Sequence, residues 1–461
     1  MPIIPTAAPG EHVEKTLRFA PWLLLLVLCT QAGMASAASQ PLPVVLGHSM
    51  VALDGPWKFH IGDDPRWVDP GFDDSAWENM DLGAPPEAND GDVGITPYTS
   101  GWSSKGHPGY QGYAWYRLRF TVTRPAGETL ALLGPWAVDS AYQVYANGVL
   151  LGGVGDFSGD APKAYGTHYP TQFALPPTLV GSGTVLLAIR VWAGPWVGGA
   201  DGGGIHVAPA IGEQGAIDAR YRVQWLKIFE GYAVDVVPAL LFGLMALLAL
   251  CLRPFDRTDR VYIWLPLALL LSGIQRGNQA FLFWWQIETI QEFVFVILVL
   301  VSSLCLGAWM MAWRSWFKLD NPAWLPKLIA GFTLLLLLAQ CIARLPVLGL
   351  ILPHWLALVA HYAITGSRYG LLLTLAFVAY QGVRLRGREG LYALPAVLAI
   401  ATVLFASELN ALHVPGIWFP WGVGLSLSEI ASVVFDAFLA GLLLRRLWSY
   451  SRSPTHPEIP A

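Results

Sequence analysis

The strongest constraint in this sequence is the tract from Tyr232 to Arg446, which is apolar almost throughout and interrupted only by short clusters of Arg, Lys and Pro. A bilayer core about 30 Å thick takes roughly 20 helical residues to cross, because each residue rises about 1.5 Å and every backbone amide must be bonded within the segment. Seven stretches meet that demand: 232–252, 261–284, 292–313, 328–345, about 353–383, 391–411 and 423–444. Positive charges alternate between them. Arg253, Arg257 and Arg260 follow the first stretch, Arg314, Lys318 and Lys327 the third, Arg384, Arg386 and Arg388 the fifth, and Arg445 and Arg446 the seventh. The other loops hold no Lys or Arg, the remaining Arg276, Arg344 and Arg368 falling within the stretches themselves. Because basic loops stay on the cytoplasmic side, the pattern predicts a seven-helix bundle over 232–446 that enters from outside and ends inside. Counting 347–365 as a further span would put the Arg384–Arg388 cluster outside, so the charge pattern favours an outer segment running into a single fifth crossing.

Upstream, Lys15 and Arg18 precede the apolar run 19–29 and the small-residue sequence Ala35-Ser36-Ala37. This reads as a signal peptide over 1–37, the apolar core being too short to span; a retained anchor is the alternative. The four cysteines, Cys29, Cys251, Cys305 and Cys341, all lie in apolar segments, so an exported domain here holds no disulfide. No zinc-like Cys/His spacing occurs, and no metal or other cofactor is expected. A net charge of −4 points away from a nucleic-acid partner, and with 54% hydrophobic residues the expected partner is the lipid bilayer.

From 40 to 212 the pattern changes to period two. In 115–122, Tyr116, Leu118, Phe120 and Val122 fall on one face and Arg117, Arg119 and Thr121 on the other, as in a half-buried antiparallel strand. Asn147-Gly148 sits between two apolar runs, and that pair tolerates the positive φ angles of a tight hairpin. Short strands separated by turn residues predict an all-β sandwich. The stretches Leu53-Asp54-Gly55-x-Trp57-x-Phe59, Phe72-Asp73-Asp74-Ser75-x-Trp77, Gly112-x-x-Trp115-Tyr116-Arg117 and Val144-x-x-Asn147-Gly148 resemble the sugar-binding jelly roll of family 2 glycoside hydrolases. The resemblance implies a galactose-binding-like jelly roll and a small-molecule or saccharide ligand. In that family the catalytic carboxylates sit in a separate (β/α)₈ barrel of about 250 residues, which leaves no room for one here and implies a non-enzyme.

Asp63, Asp64, Asp69, Asp73 and Asp74 are dense enough to raise a calcium site or catalysis, but Gly62, Pro65, Pro70, Gly71 and Ser75 around them favour turns. Ligand candidates are the aromatics in loop-like sequence, Trp102, Tyr110, Trp136 and Trp196, with Asp201 in the glycine-rich 198–204. Flat rings stack on sugar faces; the same rings can instead fill the core.

Residues 213–231 carry Ile217, Tyr221, Trp225, Ile228 and Phe229 at helical spacing, predicting a linker helix or an interfacial anchor. An exported jelly roll followed by seven helices resembles the bacterial seven-helix receptors with diverse intracellular signalling modules. Members of that family usually continue into a signalling enzyme. Only the tail 447–461 follows here, so set against the resemblance either output passes to a separate cytoplasmic signalling protein or the chain has lost it. Inside the bundle, Glu429 and Asp436 are seven residues apart on one face, and Arg276, Arg368, His361 and Glu408 are their candidate partners. Carboxylates are costly in lipid, so these groups are expected to face other helices and to couple them, whether as a state-dependent switch, an ion path or static bonding.

Overall fold

The computed structural model describes residues 50–88, 95–122, 129–159, 161–166, 168–180, 184–197, 201–345, 352–414 and 426–451. The expected signal peptide, the end of the tail after Ser451, residues 198–200 of the glycine-rich stretch and residues 347–351 of the outer segment lie outside them.

Strands β1 (Met50–Ala52), β2 (Trp57–Ile61), β3 (Glu78–Met80), β4 (Gly112–Thr121), β5 (Leu130–Leu133), β6 (Val138–Asp139), β7 (Ala141–Ala146), β8 (Val149–Val154), β9 (Gln172–Ala174), β10 (Thr184–Ala193), β11 (Gly204–Ile205) and β12 (Ala210–Glu213) form an antiparallel sandwich. One sheet runs β3-β2-β4-β10-β7-β8 and the other β1-β12-β5-β9, with β11 pairing β6 at the margin. The alternation explains the core. Trp57, Phe59, Tyr116, Val144, Leu187 and Ile189 point from the six-stranded sheet towards Leu130, Leu132 and Ile211 of the other. Asn147 at φ 47° and Gly148 at φ 84° make the turn that joins β7 to β8, and Asn147 Oδ1 accepts from the Leu186 amide at 2.8 Å.

The other face of β4 departs from the half-exposed expectation. Arg117 is 1% exposed, because the loop 62–77 folds over it with Trp67, Phe72 and Trp77. Its guanidinium donates to the carbonyls of Asp69 (2.7 Å) and Phe72 (3.2 Å) and pairs with Asp74 at 3.0 Å. Period-two polarity marks the face correctly but not what covers it.

The helical region follows without a break. Helices α1 (Gln214–Leu252), α2 (Val261–Trp285), α3 (Ile290–Trp316), α4 (Leu325–Arg344), α5 (His354–Arg386), α6 (Arg388–Leu404) and α7 (Leu427–Ser451) form one bundle. Consecutive helices pack together, α7 packs on both α6 and α1, and α3, the most buried, also meets α5. Five of them, α1, α3, α4, α5 and α7, are long and apolar enough to cross a membrane. Helix α2 falls short because Gln275, Arg276, Asn278 and Gln279 dilute its apolar run, and α6 ends after 17 residues. Helix α3 begins with a capping box, Glu292 N donating to Thr289 Oγ1 (3.1 Å) and Thr289 N to Glu292 Oε2 (2.8 Å), and is π-wound over Val294–Val301.

The expected linker helix and first span are one helix of 39 residues, about 58 Å long at 1.5 Å per residue. It starts directly from β12. Ile217 is buried against Ala131, Leu133 and Ala210 of the sandwich, Trp225 meets Tyr169 edge to face at 4.9 Å, and Ile228 and Tyr232 join Ile95, Trp136 and Val207. Phe283 of α2 stacks on both Tyr232 and His168. At the start of α3, Ile290 is buried beside Ala164 and Trp192 and donates its amide to the Ala164 carbonyl at 2.8 Å. Each such buried Ile or Val contributes about 1.5–3 kcal/mol, so the sandwich is fastened to three helices by a core of its own.

Candidate functional site

In the sandwich, the structure brings Trp102, Tyr110 and the backbone of Asp201 together and puts Trp136 and Trp196 in other clusters. Trp102 is 1% exposed; its indole N–H donates to the Tyr110 carbonyl at 3.1 Å and its ring lies under Gly203 and Gly204. Those two glycines have φ of +88° and +92°, and a Cβ on Gly203 would fall onto the Trp102 indole, which is why this part of the loop is glycine. Trp136 is 2% exposed within the junction with α1 and α2. Neither ring offers a face to a saccharide. The Tyr110 hydroxyl donates to the Tyr113 carbonyl at 2.7 Å, leaving that half-buried ring fixed at the strand edge. Asp201 is exposed, and its carbonyl accepts from Gly101 N at 3.0 Å. Trp196 differs from the others. It is half-buried, packs edge to face on Trp192 at 5.4 Å, and its indole N–H has no partner among the described residues.

The aspartates of 63–74 are engaged in structure. Asp64, Asp69 and Asp73 accept from the amides two residues on (Arg66, Gly71 and Ser75), Asp63 holds Trp115 and Arg190, and Asp74 holds Arg117 and Arg119. Among the described residues no group of three or more His, Cys, Asp or Glu is placed to hold a metal ion.

A buried pair that the sequence reading missed lies beside the glycine-rich loop, where Gly203 N donates to Asp139 Oδ2. His206, 3% exposed, sets Nε2 3.0 Å from Asp139 Oδ2 and Nδ1 3.0 Å from the Thr99 carbonyl, with Tyr98 stacked parallel at 4.8 Å. Both ring nitrogens face acceptors, so both carry protons. Burial pushes the imidazolium down, but the Asp139 hydrogen bond and charge, with the Thr99 carbonyl, outweigh it and hold His206 above its ordinary value. Burial likewise pushes Asp139 up, and the His206 contact and the Gly203 amide bring it below the usual carboxylate value. The raised His206 stabilises fully below its unfolded pKa of about 6.5 and loses that contribution as pH rises through its folded value. The lowered Asp139 stabilises above about 3.8 and fails as pH falls through its folded value. The melting temperature of the detergent-solubilised chain is therefore expected to be higher near about pH 5.5 than near about pH 8, and the difference should shrink in His206→Gln. An equal difference in that variant would place the pH dependence elsewhere.

In the bundle, the helices enclose a cavity of about 510 Å³ in the half facing the sandwich. Its polar wall comes from Asp235 (α1), Ser272, Gln275, Arg276 and Gln279 (α2), Ser302 (α3), Gln340 and Arg344 (α4), Arg368 (α5), Ser407, and Ser426, Ser428 and Glu429 at the start of α7. Arg276 Nη1 bonds Glu429 Oε1 and lies 3.2 Å from Asp235 Oδ1, tying α1, α2 and α7 together. Arg368 forks onto Glu408, Nη2 at 2.8 Å from Oε2, and also donates to the Leu404 carbonyl at 3.0 Å. Arg344 Nε donates to Gln340 Oε1 at 2.6 Å. Of the expected coupling residues, Arg276 and Glu429 thus share one cluster and Arg368 and Glu408 another. Asp436 joins neither: it lies two turns further along α7, 4% exposed, with both oxygens unbonded among the described residues. His361 is exposed and stands apart from both clusters. Asp235, Gln340 and Arg344 were not singled out from sequence, although Asp235 carries the same signal as Glu429, an acid inside an apolar helix.

At the opposite end, Arg446 lies 3.9 Å over the Trp316 ring and 3.3 Å from Asp259, and Arg445 lies over Tyr392, bordering a second cavity of about 350 Å³.

No protein-family model matches this chain, and no curated protein matches it. Among solved structures it is similar over its amino-terminal region to Bacteroides uniformis β-glucuronidase, at 22% identity over 36% of this chain and 18% of that one with a TM-score of 0.27. Similar matches are a β-glycosidase from Bacteroides vulgatus (22% identity, 35% of this chain, 20% of that one, TM-score 0.25) and Bifidobacterium dentium β-glucuronidase complexed with coumarin-3-O-glucuronide (16%, 37%, 30% and 0.26). The chain spans between 18% and 30% of the length of these three structures.

Proposed function

We propose that the chain is a bacterial cell-membrane receptor that binds a small molecule or saccharide outside and passes the signal through seven crossings to a separate cytoplasmic protein. Helices α2 and α6 count as crossings in this reading, since Gln275, Arg276 and Gln279 of α2 face the cavity instead of lipid. The alternation of Arg and Lys clusters puts the sandwich outside and Arg445 and Arg446 inside. One observation carries the proposal: α1 is a single helix rooted in the sandwich and reaching the far end of the bundle, so a shift of the sandwich has to move it. Pro238 lies in α1 one turn beyond the cavity residue Val234 and leaves the Val234 carbonyl without its helical partner, giving the helix a place to bend. A ligand that prefers one sandwich position then shifts the bundle between two packings.

A transporter is the second reading, favoured by the charged cavity. A membrane-anchored glycosidase is the third, and the engagement of the sandwich aspartates in turns and Arg pairs counts against it.

The test uses the full chain in lipid nanodiscs and a panel of mono- and oligosaccharides. Cys251, exposed near the far end of α1, serves as the reporter through its thiol-labelling rate. A binding saccharide should change that rate severalfold, and Trp196→Ala should abolish both binding and change. Binding with no change at Cys251 would remove the receptor reading. Accumulation of the sugar in proteoliposomes would establish the transporter, and cleavage of it the glycosidase.

A further inference from the structure

The cavity between the helices presents two unsatisfied charges of opposite sign. Glu429 lends Oε1 to Arg276, while its Oε2 is buried and has no hydrogen-bond partner among the described residues. A buried acceptor left open costs about 1–3 kcal/mol, more when it is ionised. Arg344 bonds the neutral Gln340 and has no carboxylate partner among the described residues. The segments adjoining Arg344 and Ser426 in sequence, 346–351 and 415–425, contain no Asp or Glu, so they bring it none.

Formal charge then divides the cavity. Arg276 faces two carboxylates, Asp235 and Glu429, which leaves an excess negative charge at that end. Arg368 and Glu408 cancel. Arg344 leaves an excess positive charge from α4. The volume, about 510 Å³, falls in the range of small-molecule pockets, about 300–1,000 Å³.

We propose that this cavity is a binding site for a small zwitterion of the amino-acid class, its ammonium on Glu429 and Asp235 and its carboxylate on Arg344. An ammonium balances the carboxylate charge that Arg276 leaves over on Asp235 and Glu429, and a carboxylate matches the guanidinium fork. A neutral saccharide would leave both charges uncompensated, a simple anion would face the two carboxylates, and a simple cation would face Arg344. The site is separate from the Trp196 region of the sandwich and stands or falls independently of it.

The experiment measures thermal unfolding of the full chain in nanodiscs with each common L-amino acid at millimolar concentration, followed by calorimetric titration of those that stabilise. At least one should raise the melting temperature by several degrees. Its carboxamide and its des-amino acid should each bind at least about tenfold more weakly, which is about 1.4 kcal/mol. Arg344→Gln should lose the same factor, and Arg344→Lys should recover part of it. No stabilising amino acid, equal binding of the carboxamide or of the des-amino acid, or undiminished binding by Arg344→Gln would each overturn the site. Should Arg344→Gln unfold, the two analogues on the parent chain decide.

Discussion

Arg276→Met is expected to destabilise the chain by about 3–5 kcal/mol, enough to remove most of it from the membrane fraction, because it strands Asp235 and Glu429 without their cation. Both carboxylates are buried, one on α1 and one on α7, so a single guanidinium on α2 is the counter-charge for carboxylates of two other helices. The same argument predicts a rescue. Combining Arg276→Met with Asp235→Asn and Glu429→Gln removes all three charges and should restore most of the lost stability, since a buried ion network is weak net stabilisation even where breaking it is costly. Arg276→Lys should fall between, a point charge reaching one carboxylate well but not two on different helices. The measurement is melting temperature in detergent with membrane abundance beside it. A drop below about 1 kcal/mol for Arg276→Met would mean that the pairs contribute little and that water enters the cavity freely.

Much of the fold follows from two periodicities. The apolar tract with its basic punctuation locates every long helix of the bundle, and the alternation in 115–122 locates β4, one of the two central strands of the larger sheet. The Asn147-Gly148 turn follows from the φ angles its residues tolerate. What local pattern does not reveal is which surface another segment covers. Arg117 occupies a polar position in the alternation yet is sealed under the loop of Phe72 and Trp77, because loop carbonyls and Asp74 satisfy its guanidinium. Trp102 and Trp136 sit in loop-like sequence and yet are core, one under Gly203 and Gly204, the other against α1 and α2. In the bundle, a charge in an apolar helix announces an interior position, but its partner comes from a helix distant in sequence. Glu429 and Asp436 share a face of α7 and still differ in fate: one meets Arg276, the other meets no counter-charge among the described residues.

Two irregularities flank the cavity and bear on its dynamics. Pro238 interrupts the α1 ladder at Val234, beside Asp235, and the π-wound turns of α3 hold Leu298 in the opposite part of the wall. Both are places where a helix changes shape at low cost, and both border the residues whose pairing a ligand would alter.

Asp436→Leu is expected to raise stability by about 1–3 kcal/mol, the opposite sign to that expected for the neighbouring cluster. The carboxyl group is 4% exposed and neither oxygen is bonded among the described residues, so folding gives up its hydration and returns no hydrogen bond. The uncharged segments 346–351 and 415–425 supply no counter-ion. A leucine keeps the branched skeleton with larger methyl groups in place of the oxygens, and so removes the desolvation cost while adding apolar contact with the surrounding core. Asp436→Asn retains the polarity without the ionisable group and should lie close to the parent. Since a destabilising group inside a bundle is what a switch requires, the stabilised Leu variant is also expected to respond weakly, its Cys251 labelling no longer changing with a sandwich ligand that still binds. Thermal unfolding decides the first part: if Asp436→Leu melts below the parent, the carboxyl has a partner, and its place in the row is static interhelical bonding. If it melts above the parent and labelling still responds, Asp436 is an uncompensated residue with no part in coupling, and the switch lies in the Arg276 cluster alone.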